Sequence, residues 1–149
     1  MVQALKQKMK EQKGFTLIEL LAVIVILGII AAIAIPAIGN VINKSDNKAK
    51  VQEGIQIINA AKLYVANTGN LTFAESGTTT KTYTLQLQND VLSTYLDHVK
   101  DNNYTVIVTK DSNNKYTYSI TNHESGEVVG ATKSQSDVVD EQTLTSNAR

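Results

Sequence analysis

No cysteine occurs in these 149 residues, which excludes a disulfide framework, a thiolate metal cluster and a thiol nucleophile. The C-terminal part must therefore hold together by packing alone. Histidine is nearly absent as well. His98 falls on a predicted short helix and His123 in a predicted turn, neither with a partner at ligand spacing, so both are expected on the surface. There is no Gly-rich phosphate loop. Asp111-Ser112-Asn113-Asn114 opens like a calcium loop, but the rest of that pattern is missing and the four residues read as a hairpin turn. Without a nucleophile beside a base, or paired acids in an enclosed site, the chain reads as a non-enzyme with no cofactor and no metal.

Charge is missing from one long stretch. Residues 15–35 carry a single ionisable side chain, Glu19, in a run of 21. At about 1.5 Å of rise per residue, a helix of that length crosses a hydrocarbon core of about 30 Å. A carboxylate in such a helix costs about 2.5 to 3.5 kcal/mol at the bilayer centre and less near the interface, so Glu19 needs a reason. It either snorkels to the interface or meets a partner. Acid is scarce ahead of the run too: the first 14 residues hold Lys6, Lys8, Lys10 and Lys13 against Glu11 alone. Lysines flanking an apolar helix stay cytoplasmic and direct its other end outward. Removing those 14 residues leaves a net charge of about −3, which argues against a domain that binds nucleic acid through its phosphates.

A short basic leader, the junction Gly14-Phe15, then Thr16-Leu17-Ile18-Glu19 and an unbroken apolar helix resemble the class III signal of the type IV pilin and pseudopilin family. The resemblance is close over residues 10–36 and holds only in layout beyond them. It implies that a membrane prepilin peptidase cuts between Gly14 and Phe15 on the cytoplasmic side and N-methylates Phe15, with residues 1–14 lost as leader. Glycine suits the cut because a residue without Cβ lets the backbone enter a tight site. The resemblance further implies that Glu19 pairs with the α-amino group of Phe15 on a neighbouring subunit and so sets the register of a helical homo-oligomeric filament. An assembly ATPase and a membrane platform protein would drive its extension. Before assembly the subunit would sit in the cell membrane as a single-pass protein with its N-terminus inside, and afterwards in an extracellular filament. The favoured role is a surface pilus for adhesion or twitching motility; a pseudopilin of a competence or type II secretion apparatus is the alternative. Many Gram-negative pilins close the C-terminal region with a disulfide, so the lack of cysteine fits a Gram-positive source or a pseudopilin better.

Other readings keep the helix for different ends. Ala32-Ile33-Ala34 matches the cleavage site of an ordinary secretory signal, and a cut there would release a soluble domain starting at Ile35. The apolar run is longer than the usual 7 to 15 residues of such signals, and Pro36 follows the cut awkwardly. A single-pass binding module that never polymerises would leave Glu19 without a purpose.

Within the span, Gly28 and Ala32 share a face on which another helix can approach closely. Pro36 lacks an amide hydrogen, so a kink is expected near Gly28 and Pro36, unless the helix simply ends there. Beyond it, apolar residues from Val41 to Val65 recur at three- and four-residue steps, with lysines and Asp46 between them. An amphipathic helix is expected over 37–66, stopped by Asn67-Thr68-Gly69-Asn70. A globular head should occupy 67–133: a surface loop over 67–82, a brief strand at 83–87, a short helix over 88–99, a hairpin of 104–109 with 115–121, and a third strand at 127–131. Residues 134–149 are polar and expected to form a flexible tail. The fold class expected is α+β, type IV pilin-like, with a long N-terminal helix, transmembrane in its first half, packed against a small antiparallel sheet.

Overall fold

The computed structural model describes residues 16–69, 71–76 and 82–148. It contains one helix of 51 residues, α1 (Leu17–Asn67), and five antiparallel strands. The chain divides into two compact units between Asn43 and Lys44, within α1.

The first unit contributes the apolar half of α1. With Glu19 its only charge, this half has no polar face to turn outward, and each large apolar side chain from Leu17 to Ile42 is at least 50% exposed. A helix greasy all round is stable only when lipid or other helices surround it, and its length and composition suffice to cross a membrane. Pro36 lies inside the helix. Having no N–H, it leaves the carbonyl of Ala32 without its usual donor.

The second unit, Lys44–Arg149, holds the core. Here α1 buries Val51, Gly54, Ile57, Ile58, Ala60 and Ala61, spaced so that they form one stripe. Against that stripe lies a meander in the order β1 (Ala74–Ser76), β2 (Thr82–Gln88), β3 (Thr105–Lys110), β4 (Tyr116–Thr121) and β5 (Val139–Asp140). Its register sets Leu87, Val106, Ile120 and Val139 in one row across four strands, all buried. The next row on the same face, Leu85, Val108 and Tyr118, follows two residues on, as the pleat requires. This is the α+β arrangement expected from the sequence. The turn between β3 and β4 is made by Asp111, whose Oδ1 accepts the amides of Asn113 at 2.9 Å and Lys115 at 2.8 Å, and by Asn114 at φ 62°.

Four local expectations change. The loop over 67–82 contains β1, paired with β2 through Ala74↔Thr84. The short helix is only α2 (Asn89–Leu92) followed by a 3₁₀ turn (Ser93–Tyr95), because the chain must then extend to reach α1. The third strand expected at 127–131 is instead the C-terminal part of α3 (Glu124–Val128) and the turn after it. β propensity in Glu127-Val128-Val129 yields there to a capped helix start at His123 and to Gly130, which turns the chain at φ +88°. Finally, residues 134–148 of the expected 134–149 tail are not flexible coil but folded. They supply β5 and α4 (Glu141–Asn147), whose N-cap Asp140 accepts the amide of Thr143 at 2.7 Å.

Leu144 of α4 is fully buried. Leu144→Ala is therefore expected to lower the stability of the second unit by about 2 to 5 kcal/mol, read from chemical denaturation of the full chain in detergent. A loss under about 0.5 kcal/mol, the range of an ordinary surface change, would mean the tail does not dock.

Candidate functional site

Gly14 and Phe15, the processing pair, lie outside the described residues. The site visible next to them is the start of α1. Thr16 stands before the helix, and its backbone amide donates to Glu19 Oε2 at 2.8 Å while its hydroxyl donates to the same oxygen at 3.0 Å. In return the amide of Glu19 donates to Thr16 Oγ1 at 3.3 Å. Thr-x-x-Glu is a capping box, in which two donors left over at a helix start are satisfied reciprocally. The positive end of the helix dipole also favours a carboxylate there. Glu19 is thus oriented over the helix start, and none of these bonds uses Oε1. Thr16 was not singled out from the sequence, although its spacing to Glu19 is a readable signal. Gly28 has nothing within 4 Å of where a Cβ would stand, which leaves that face open to a neighbouring helix.

The second candidate is a polar cluster in the head. His98 is exposed as expected, paired with Asp97 at 2.5 Å and held at φ 56°. His123 is not: it is 2% exposed. Asn122, at φ 58°, turns the chain so that the ring enters the core, where Nδ1 accepts the Ser125 amide at 3.0 Å and lies 2.8 Å from Ser125 Oγ. A serine and a histidine at that distance resemble a nucleophile and its base. Ser125 is fully buried, however, and a Cβ on Gly54 of α1 would meet its Oγ at 2.5 Å, so no substrate reaches it. The pair caps α3.

Around it, Glu53 of α1 accepts the amides of Lys100 at 2.5 Å and Asp101 at 3.0 Å. Asp101 accepts the amides of Asn103 at 3.1 Å and Glu124 at 3.0 Å and pairs with Lys133 at 2.9 Å. Burial alone would raise the carboxyl of Asp101, yet Lys133 and the two amides hold it below its usual range. Burial pushes His123 down, against the pull of Asp101, Glu53 and Glu124. Burial, with Asp90 and Glu53 nearby, raises the Tyr104 hydroxyl to about 12. Farther along α1, Lys62 pairs with Glu141 and lies 5.6 Å over the ring of Tyr118. These ties join α1 to the segments that follow it. Among the described residues no three His, Cys, Asp or Glu side chains gather as metal ligands would.

Comparison with known proteins bears on the N-terminal end. Residues 9–35 match the family model for the prokaryotic N-terminal methylation motif. The chain is 45% identical over 56 residues to type IV major fimbrial protein FimA of Dichelobacter nodosus, covering 38% of this chain and 32% of that one. Fimbrial protein Q of Moraxella bovis is 58% identical over 45 residues, 30% of this chain and 29% of the relative. The type IV major alpha-pilin of Moraxella bovis is 65% identical over 37 residues, 25% and 23% of the two chains. The chain thus spans about a third or less of the length of these curated relatives. No solved structure matches.

Proposed function

We propose that this chain, whose N-terminal segment is that of the type IV pilin family, is a structural subunit that polymerises into a pilus filament on the cell surface. The observation that carries the proposal is the first half of α1, apolar and exposed all round, with its one carboxylate oriented at the helix start beside a processing motif. Such a surface can be held in a bilayer before assembly and covered by copies of itself afterwards, so one helix serves as both anchor and filament core.

In this reading prepilin peptidase cuts between Gly14 and Phe15 and methylates the new amine, the N-terminus facing the cytoplasm. Glu19 then meets the amine of Phe15 on a neighbouring subunit, and that pair sets the axial register. Pro36, with the close-packing face at Gly28, gives the helix a place to bend as subunits leave the membrane. A cytoplasmic ATPase acting through a platform protein supplies the work of extraction. A secretory cut after Ala34 fits less well, because residues 32–36 lie within a helix that continues to Asn67. A surface pilus is preferred to a competence or secretion pseudopilus because the relatives named above are major fimbrial proteins and pilins.

Intact-mass and N-terminal analysis of protein purified from its host is the direct test. The expected product starts at N-methyl-Phe15 and appears by electron microscopy in filaments. Filaments that retain residues 1–14, or a mature protein starting at Ile35, would overturn the proposal.

A further inference from the structure

His123 is placed as no cap residue needs to be. The residues usual at a helix N-cap are Ser, Thr, Asp and Asn, none of which titrates near neutrality in that role. Here the acceptor is imidazole Nδ1, and because it receives the Ser125 amide, the neutral ring carries its proton on Nε2. That Nε2 is buried with no hydrogen-bond partner among the described residues. The groups facing the ring come from every element around it: Glu53 of α1, Asp101 of the segment before β3, Tyr104 edge-on with centroids 6.2 Å apart, Glu124 and Ser125 of α3, and Lys133 beyond it.

We propose that His123 is an acid-sensitive latch on the seam between α3 and α1. A proton added at Nδ1 turns the acceptor that caps α3 into a donor, which can bond Ser125 Oγ at 2.8 Å but now confronts the Ser125 N–H it used to accept. The cap is lost and a charge is left in the core. What loosens with it is the contact α3 makes with α1. Ser125 packs on Gly54, Glu124 pairs with Lys50 at 3.5 Å, and the Glu124 amide donates to Asp101, whose own amide is held by Glu53 of α1.

The direction of the effect follows from which state protonates first. The three carboxylates favour charging and Lys133 opposes it, while burial dominates, so the folded ring holds its proton less readily than the unfolded one. The latch is therefore fully closed above the ordinary histidine value of about 6.5 and weakens as pH falls through and below it, the unfolded chain taking up the proton first. Asp101 stays ionised over that range, because it is held below its own usual value. In a surface filament the trigger is the acidity of the medium.

The test is amide hydrogen exchange of Ser125 to Val128 in the full mature chain in detergent, at about pH 7.5 and about pH 4.5, corrected for the intrinsic rate. Wild-type amides are expected to exchange about fivefold faster at the acid pH, the factor that loss of an ordinary helix cap of about 1 kcal/mol implies. His123→Asn keeps a cap acceptor that cannot titrate and should show no such acceleration, while His98→Asn should behave as wild type. Acceleration that persists in His123→Asn, or is absent from wild type, overturns the proposal. If His123→Asn fails to fold, the ¹⁵N shifts of the wild-type ring decide. They are expected to show unprotonated Nδ1 at the neutral pH and a protonated ring on acidification; a proton on Nδ1 at the neutral pH would refute the latch.

Discussion

Glu19→Gln is expected to leave the proposed cleavage after Gly14 intact and to abolish filaments. Glutamine is as good as glutamate at the fourth position of a capping box, so its side-chain oxygen can still accept from Thr16 and the helix start is kept. What the change removes is charge alone. In the proposed bundle of apolar helices the Phe15 amine of the neighbouring subunit would then be abandoned, and breaking one side of a buried ion pair typically costs about 3 to 5 kcal/mol. Repeated at each subunit added, a loss of that size stops growth rather than slowing it. Thr16→Val gives the contrast, because it removes the cap hydroxyl but keeps the charge. Its cost is that of a lost cap, about 1 kcal/mol, and filaments should form at reduced yield. Both variants are scored by immunoblot for cleavage and by electron microscopy for filaments, in cells without wild-type subunit. Normal filament numbers from a fully cleaved Glu19→Gln subunit would return Glu19 to an interfacial, snorkelling role.

Gly14→Leu is expected to stop one step earlier, with the chain left at precursor length in the membrane and no filament formed. A peptidase that binds the backbone closely at the scissile bond has no space for a branched side chain, and glycine alone offers a chain without Cβ. The effect is expected to be all-or-none because, in the proposed scheme, cleavage frees the amine that the register pair requires. A size shift of 14 residues on an immunoblot separates cut from uncut chain. Normal processing of Gly14→Leu would move the scissile bond elsewhere and leave Phe15 without its assigned amine. The two variants fail differently, one cleaved and unassembled, the other uncleaved, so each isolates its own step.

The candidate processing and assembly residues, Gly14, Phe15 and Glu19, stand out in the sequence because the pattern they form is local. Glycine, an aromatic and a glutamate at fixed spacing sit on the border of a charge-free run, and no folding is needed to bring them together. The capping box at Thr16 is equally local, but a lone charge in an apolar helix masks its second role as a cap partner. The latch at His123 was not legible in this way. Its partners Glu53, Asp101 and Lys133 come from three segments far apart in the chain, and a histidine in a turn gives no sign of facing inward. The tail misled for a related reason. Residues 134–149 are polar on average, and the two side chains that anchor them, Val139 and Leu144, mean little until β4 and α1 provide surfaces to receive them.

The sequence by itself therefore determined the long helix, its two characters, the hairpin of β3 and β4, and the N-terminal motif on which the proposed processing rests. All of these follow from periodicity, propensity and spacing within a few turns of chain. The tertiary structure alone decided that residues 127–131 do not form a strand and that Val139–Asp140 closes the sheet instead. It alone decided that His123 is buried and that the tail completes the core. A short segment's own preference is worth a few tenths of a kcal/mol per residue, whereas burying one leucine or valine against a waiting surface is worth about 1.5 to 3 kcal/mol. Where the two disagree, packing between distant segments prevails.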